Sequence, residues 1–267
     1  NRGMSLSEFK FIFFMEWSHR FLGRLIGLAL LVPFVLLLMR RELDRSLLVK
    51  FLVLFALLGL QGFLGWFMVR SGLVDIPRVS AYRLVIHLDA ALLFLSVAYL
   101  FANAGSSGPG KSGFYKFAAV LVLIIIGVQI DLGGFTAGLR AGHVSNTFPL
   151  MNGQWMPNGV AAFQPFIRNL FENPVTVHFL HRNFAYMAVV ASIFFGIYGL
   201  VKEATSRREK VWLVHIAALA VLQAVIGISV VVFQVPVLLA SFHQLIAVGM
   251  WLAALYLVFA AFRKNKS

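Results

Sequence analysis

Charged and histidine side chains lie inside a long apolar stretch near the start of this sequence. This cluster is Glu16-Trp-Ser-His19-Arg20-Phe-Leu-Gly-Arg24. Ionisable residues inside apolar segments are energetically costly and usually mark a functional site. Because residues i and i+3 of a helix are neighbours, Glu16 and His19 share a face. A carboxylate in this position can take or deliver protons, or stabilise a developing cation.

This cluster has a second copy later in the chain. A shift of 162 residues places LQGFLGWFMVRSGL on LQAVIGISVVVFQV and one His-Arg pair on another. The corresponding residues are His19 and His181, Arg20 and Arg182, Gln61 and Gln223, Gly65 and Gly227, and, at a shorter offset of 156, His87 and His243. The order His-Arg helix, Gln/Gly helix, His helix therefore occurs twice in the same orientation, as in membrane proteins built from parallel repeats.

The repeated histidines form one pair in each copy. Two histidines that face each other across a helical bundle suit bis-imidazole ligation of haem iron, because bundle cores hold such cofactors. For a single intramembrane histidine, an interhelical hydrogen bond is the alternative, but the duplication favours ligands. A small metal ion is disfavoured because no carboxylate or thiol completes its site in the second copy. We predict His19 with His87, and His181 with His243, as iron ligands.

The two copies differ at one chemically important position. The shift places Glu16 on His178, so only the first copy has a carboxylate one turn before its histidine. We therefore expect the first site to carry out chemistry and the second to pass electrons. The alternative for Glu16 is an ion pair with Arg20, four residues later, which is compatible with this role. Outside the repeat, His215 is interpreted as a polar contact near the inner end of its helix and His143 as a loop residue.

Four arginines are predicted at the outer membrane interface, beside the histidines. They are Arg20, Arg24, Arg83 and Arg182. Haem propionates would need cationic partners at this level, and the guanidinium group binds carboxylates well. Snorkelling of each arginine to lipid phosphate is the competing interpretation.

The segments that carry these side chains have the composition of membrane helices. The chain of 267 residues is 60% hydrophobic and 12% charged, which excludes an ordinary soluble domain. Several apolar segments are long enough to cross about 30 Å of hydrocarbon as helices of about 20 residues. The seven segments are 11–39, 47–69, 84–103, 114–135, 175–201, 211–235 and 237–262. Transmembrane strands would be shorter and alternating, so the predicted fold class is an all-α polytopic membrane protein.

The placement of charge predicts the orientation of these helices in the bilayer. A net charge of +13 could indicate nucleic-acid binding, but lysine and arginine concentrate after the first, third and fifth segments and in the C-terminal tail. This asymmetry follows the positive-inside rule and predicts an inner C-terminus, an outer N-terminus and histidines toward the outer side. The charge therefore reports topology and not nucleic acid. The absence of cysteine excludes disulfides, thiolate metal sites and cysteine nucleophiles.

Two repeated four-helix bundles, the first lacking one helix, account for this arrangement. The fourth segment precedes the second copy and has no counterpart before the first, so we expect that a helix upstream has been lost. We predict an N-terminal bundle over 1–112 and a C-terminal bundle over 113–267, which meet at the glycine-rich stretch 103–113. In the long outer loop, apolar residues between Val160 and Phe171 indicate either a helix lying in the membrane interface or an ordinary loop packed on the helix ends.

Several motifs, taken in order, resemble those of the heme A synthase family. They are EFKFIFFMEWSHRFLGRLIG, LQGFLGWFMVRSGL, PRVSAYRLVIHL, AGLRAGHVSNTFPLMNGQWMP and the final HQL. The resemblance covers essentially the whole chain and is greatest to the cysteine-free branch found in proteobacteria and mitochondria. It implies eight transmembrane helices in two similar bundles, of which this chain would lack the first.

The resemblance also implies a function for the paired histidines. His181 and His243 would bind haem b in the C-terminal half. His19 and His87 would face the iron of the substrate haem o, with Glu16 as the catalytic carboxylate. The implied reaction oxidises a haem methyl group to a formyl group through hydroxylated intermediates and makes haem a for cytochrome oxidase. Implied partners are a haem o synthase and an electron-transfer protein, in a bacterial or mitochondrial inner membrane, and homo-oligomerisation is left open.

A second function class remains open at this point. Two bis-histidine sites would also suit a di-haem b-type electron carrier that exchanges electrons with quinone and changes no haem. Glu16, present in only one copy, favours the enzyme. A cofactor-free assembly scaffold is disfavoured by the paired histidines.

Overall fold

A computed structural model describes residues 5–70, 79–103, 108–204 and 206–263. The α-helices in these ranges are α1 Leu6–Met39, α2 Arg45–Arg70, α3 Ala81–Ala102, α4 Gly113–Gly138, α5 Asn169–Glu172, α6 Pro174–Lys202, α7 Arg207–Val232 and α8 Val237–Ala261. All except the four-residue α5 are long and apolar enough to cross a membrane. Within the described ranges, β-pairing is limited to an isolated bridge between Met151 and Gln154. The predicted all-α polytopic fold is confirmed.

The helix ends agree with the predicted segments to within a few residues, except at the start of the chain. Helix α1 begins at Leu6, so His19 is the thirteenth residue after the first and lies more than three turns along the helix. His87, His181 and His243 lie six or seven residues after the starts of their helices. His19 is therefore deeper along its helix than the predicted position within two turns of the end. Part of the predicted glycine-rich junction, 104–107, and the basic tail from residue 264 lie outside the described residues.

The chain divides into two compact units, unit 1 (Asn1–Ala102) and unit 2 (Asn103–Ser267). In unit 2, α6 and α8 each pack against both α4 and α7, which closes a four-helix bundle. Unit 1 contains α1, α2 and α3, and α2 packs against the other two. These three helices correspond through the repeat to α6, α7 and α8. In both units the predicted ligand histidines lie on the helices on either side of the Gln/Gly helix.

Polar side chains determine where three helices of unit 2 begin. Ser112 precedes α4, Asn173 precedes α6 and Ser206 precedes α7. In each case the side-chain oxygen accepts a hydrogen bond from a backbone N–H two or three residues later. These bonds satisfy donors that the helix itself leaves unpaired. Pro174 occupies the first position of α6, where its missing N–H removes no helical hydrogen bond.

Helices α6 and α7 approach closely because two glycines face Leu213. A Cβ atom built at Gly196 would lie 2.8 Å from the Leu213 carbonyl oxygen, and one at Gly199 would lie 2.5 Å from Leu213 Cδ2. Small residues at membrane helix interfaces allow backbones to approach and improve van der Waals packing. The position of α6, which carries His181, therefore depends on this contact.

The segment 139–173 folds as a loop and not as an amphipathic helix. Its helical residues near the predicted stretch are a 3-10 turn at Phe166–Arg168 and α5. The fully buried Asn169 organises the loop: its side chain accepts a hydrogen bond from Phe163 N and donates one to Phe163 O. The Phe171 ring packs on Phe135 of α4, with centroids 5.4 Å apart. Of the two interpretations from the sequence, the loop packed on helix ends is the correct one.

A buried ion pair lies at the end of unit 2 opposite the histidines. Lys111 Nζ is 2.6 Å from Glu209 Oε1, and their side chains are 2% and 5% exposed. Lys111 also donates to the Glu203 carbonyl oxygen, and Tyr115 Oη donates to Glu209. Lys111 is one of the cations that follow the third apolar segment, and the structure shows that it is neutralised inside the bundle. This network joins the start of α4 to the end of α6 and the start of α7.

Breaking this ion pair is expected to destabilise unit 2 strongly. Lys111→Met alone leaves the Glu209 carboxylate buried without its cation, which costs about 3–5 kcal/mol. The double variant Lys111→Met/Glu209→Leu removes both charges and should recover most of that loss. Thermal unfolding of the detergent-solubilised protein measures both effects.

The exposed ion pair between Arg168 and Glu172 is the matched control, with side chains 51% and 36% exposed. Arg168→Ala is expected to change stability by no more than about 1 kcal/mol, because solvent screens exposed pairs. Equal losses from Lys111→Met and Arg168→Ala would contradict the role assigned to the buried pair.

Candidate functional site

The histidines predicted as ligands meet in two pairs with nearly the same geometry. In unit 1 the ring centroids of His19 and His87 are 6.4 Å apart and the ring planes are inclined by 81°. In unit 2 the centroids of His181 and His243 are also 6.4 Å apart, with an inclination of 84°. The internal repeat therefore places two imidazole rings in the same relation twice.

This ring separation suits two imidazoles that bind one metal ion from opposite sides. Bonds of about 2.0–2.1 Å from a metal to imidazole nitrogen place the two nitrogens about 4 Å apart, and each ring centroid lies behind its nitrogen. In the part of the chain that the structure describes, no three His, Cys, Asp or Glu side chains gather as a metal site. A macrocycle such as a porphyrin can supply the remaining ligands of such a metal.

Three of the four histidines rest against a glycine of a neighbouring helix. A Cβ atom built on the glycine would lie 3.1 Å from His87 Cε1 at Gly65, 3.2 Å from His181 Cε1 at Gly133, and 2.8 Å from His243 Cε1 at Gly227. Any side chain at these positions would push the ring away. The glycines therefore provide the space in which the imidazole rings lie.

A glutamine one turn before each glycine contacts the same histidine. Gln61 Nε2 donates to His87 O at 3.1 Å, Gln129 Nε2 lies 3.0 Å from His181 O and 3.1 Å from His181 Nδ1, and Gln223 Nε2 lies 3.4 Å from His243 Nε2. We call these three elements the glutamine–glycine pairs: Gln61 with Gly65, Gln129 with Gly133, and Gln223 with Gly227. The internal repeat identifies the first and third pairs, but it does not include the second, although α4 contains the same Gln-x-x-x-Gly spacing.

The residues one turn before the two His-Arg pairs have contrasting environments. Glu16 forms a salt bridge with Arg20, and both side chains are about half exposed. The ion pair considered from the sequence is therefore present. His178, at the corresponding position of α6, is only 1% exposed. Neither of its ring nitrogens has a hydrogen-bond partner among the described residues. One unit thus presents an accessible carboxylate at this position and the other a buried imidazole.

The two predicted arginines of unit 1 that do not pair with Glu16 differ in their contacts. Arg83 donates to the Phe67 carbonyl oxygen at 2.8 Å, and its guanidinium carbon lies 3.7 Å from the Phe67 ring centroid. Arg83 therefore joins α3 to the end of α2 beside His87. Arg24 is exposed on α1, five residues after His19.

In unit 2, Arg182 anchors the loop 139–173 next to His181. It donates to the carbonyl oxygens of Thr147 at 3.1 Å and Pro149 at 2.9 Å. The two remaining histidines are exposed. His143 lies in a 3-10 turn of the loop, as predicted. His215 contacts the Val211 carbonyl of its own helix at 2.7 Å, so its described polar contact is within α7 and not between helices.

Taken together, the fold and the site define a class: a polytopic α-helical membrane protein with paired imidazoles inside its helical units. The chain belongs to the cytochrome oxidase assembly protein family, whose model matches residues 1–255. The family membership predicted from the motifs is confirmed.

Curated relatives support the same assignment. A protein of Parvibaculum lavamentivorans named heme A synthase is 43% identical over 247 residues, which cover 91% of this chain and 70% of that protein. Heme A synthase of Nitrosospira multiformis is 41% identical over 264 residues, covering 96% of this chain and 73% of the relative. Heme A synthase of Brucella anthropi is 40% identical over 252 residues, covering 92% and 70%.

Proposed function

We propose that this chain acts as a heme A synthase, which oxidises a methyl group of haem o to a formyl group and so makes haem a. The observation that carries the proposal is the duplicated histidine pair with a carboxylate beside only one copy. The names of the relatives support the same activity. A di-haem carrier that changes no haem is not favoured, because two electron-transfer sites would not require different residues at Glu16 and His178.

In unit 2, His181 and His243 would hold haem b. Their ring separation fits two ligands on one iron, and unit 2 has a buried imidazole where unit 1 has Glu16. Haem iron held by two imidazoles supplies one-electron redox chemistry. The protein fixes both rings between helices. Unit 2 would therefore transfer electrons, and residues 113–267 would form the haem b half.

In unit 1, His19 and His87 would bind the iron of haem o as substrate, within the substrate half 1–112. Glu16 lies one turn before His19 on the same face of α1, and Arg20 holds its carboxylate by a salt bridge. When electrons from a methyl C–H bond pass to the electron-transfer partner, the hydrogen is lost as a proton, and an accessible carboxylate beside the substrate can accept it. Glu16 is therefore the proposed catalytic residue.

The arginines near the histidines would bind haem propionates. These are Arg20 and Arg24 on α1, Arg83 on α3 and Arg182 on α6. A guanidinium group has five N–H donors, so the contacts of Arg83 and Arg182 with backbone carbonyls leave further donors. Those same contacts hold the two guanidinium groups in place, which favours a directed bond to a carboxylate.

The distribution of basic residues supports an orientation with the C-terminus inside and the histidines toward the outer side of a bacterial or mitochondrial inner membrane. Lys111, one of the cations after the third segment, is buried in an ion pair, but the asymmetry remains without it. The reaction also requires a supply of haem o, which we assign to a haem o synthase, and an electron-transfer partner.

Chromatography of the pigments bound to the purified protein tests the proposed function. We expect haem b together with haem o and its hydroxylated or formyl derivatives. Haem b alone, in two equivalents, would instead support the electron carrier. His243→Ala should abolish the haem b spectrum, because one of two axial ligands is lost. His215→Ala, on an exposed face of α7, should leave the spectrum unchanged and serves as the matched control.

Glu16→Ala should block or stall the oxidation while the haem b spectrum of unit 2 stays intact. General acid–base groups contribute about 10²–10⁴-fold to rate, so turnover of haem o should fall by about that factor. Glu42→Ala removes an exposed carboxylate beyond the other end of α1 and should leave turnover unchanged. Loss of the haem b spectrum in Glu16→Ala would show that the two sites have been assigned to the wrong units.

Gly227→Ala should weaken haem b binding without destabilising the fold. The added Cβ would lie 2.8 Å from His243 Cε1, so the ring must move, whereas alanine is favoured over glycine in a helix by about 1 kcal/mol. We expect about 10-fold weaker retention of haem b, or more, with unchanged or higher thermal stability of the haem-free protein. Gly249→Ala is the control, since its Cβ would lie 3.9 Å from Leu219. Equal haem retention in both variants would refute the role given to Gly227.

A further inference from the structure

The three glutamine–glycine pairs share an unusual feature: each glutamine has a buried amide oxygen that accepts no hydrogen bond from the residues that the structure describes. The atoms are Oε1 of Gln61, Gln129 and Gln223. Buried polar atoms in folded proteins nearly always have a partner, so each exception needs a reason. Here the same exception occurs at three equivalent places, each beside a proposed iron ligand.

Two of the facing histidines also have a ring nitrogen without a partner. Nδ1 of His87 and Nδ1 of His243 are buried and have no hydrogen-bond partner among the described residues. A neutral imidazole carries one proton, and the nitrogen without it is the one that can bind a metal. When one ring nitrogen binds iron, the other carries the proton and must donate it to an acceptor. An amide oxygen is such an acceptor.

Resting on the proposed function, we infer that Gln61, Gln129 and Gln223 are positioning residues whose amide oxygens accept a hydrogen bond from the ring N–H of the iron-binding histidines, that is, from the ring nitrogen that does not bind iron. Histidines that bind metals almost always donate the other ring N–H to an oxygen, which fixes the tautomer and the ring orientation. The glutamine–glycine pair thus has two functions. The glycine makes room for the ring, and the glutamine selects the nitrogen that faces the iron.

Gln129 shows how the bond can form. Its amide nitrogen already lies 3.1 Å from His181 Nδ1, so the amide is within hydrogen-bond distance of the ring. Turning the amide over by rotation about its last bond places the oxygen at that position. The hydrogen bond from Gln129 Nε2 to His181 O, at 3.0 Å, is then exchanged for one from His181 Nδ1–H to Gln129 Oε1. Binding of iron at His181 Nε2 favours this exchange because it leaves the imidazole proton on His181 Nδ1.

The inference predicts a change in reduction potential that a packing role would not produce. A stronger acceptor on the ring N–H makes the imidazole a more basic ligand, which stabilises oxidised iron and lowers the potential. Gln223→Glu strengthens the acceptor, and Gln223→Leu removes it while it keeps a side chain of similar size. We therefore expect the haem b potential to fall in Gln223→Glu and to rise in Gln223→Leu. Haem retention in Gln223→Leu should weaken by about 10-fold to 100-fold.

The chain provides a matched control next to His243. Gln244 is also a glutamine on α8 but is exposed. Gln244→Leu should leave the potential and the haem content as they are in the unaltered protein. Gln61→Leu provides a second check: it should lower turnover of haem o and leave the haem b potential unchanged, because Gln61 contacts His87 in unit 1.

The potentiometric titration is carried out on the purified full chain with its bound haem. Opposite shifts in the two Gln223 variants support the inference, and equal shifts or none overturn it while the proposed function stands. If either Gln223 variant fails to fold, Gln129→Glu and Gln129→Leu give the same comparison from the other ligand, His181. Absence of haem b from the unaltered protein would overturn the proposed function and this inference together.

Discussion

An imidazole ring inside an apolar helical unit has to be given both space and polar partners. The ring has two nitrogens that are costly to leave unpaired away from water. The structure solves the problem of space with glycine on the neighbouring helix, as at Gly133 beside His181 and Gly227 beside His243. The polar partner comes from a glutamine one turn earlier, so one helix face with two residues provides both. Each glutamine–glycine face has to stay opposite its histidine, and this requirement restricts how the helices of a unit pack.

Unit 2 maintains that alignment with contacts far from the histidines. Gly196 and Gly199 allow α6 to lie close to α7, and the Lys111–Glu209 ion pair joins three helix ends on the opposite side of the bundle. The loop 139–173 is attached beside His181 through Arg182. Ligands held on packed helices keep their geometry better than ligands on loops, because their rotamers are restricted by neighbours. A bis-histidine site that has to retain a large planar group needs this rigidity.

In the proposed function, the difference between Glu16 and His178 explains how two similar histidine pairs can do different work. Ring geometry is almost the same in both units, so both can hold an iron in the same way. The carboxylate of Glu16 is accessible and paired with Arg20, whereas His178 is buried without a polar partner among the described residues. A group that transfers protons has to exchange them with its surroundings, whereas an electron-transfer site does not need such a group. The difference between the two positions therefore separates chemistry from conduction in the proposed function.

Much of this arrangement is already determined by the amino-acid sequence. Long apolar segments can satisfy their backbone hydrogen bonds in a membrane only as helices. The repeat of His-Arg, Gln/Gly and His residues identifies both histidine pairs. Both features can be read from the order of residues without knowing how the helices pack. The second glutamine–glycine pair, Gln129 with Gly133, was not found, because α4 has no counterpart in unit 1 and its partner His181 is 52 residues away. The burial of Lys111 against Glu209 and the loop built around Asn169 were likewise decided by contacts between distant residues. Which side chains meet across a bundle depends on helix rotation and packing, and these are fixed only when all the helices of a unit have come together.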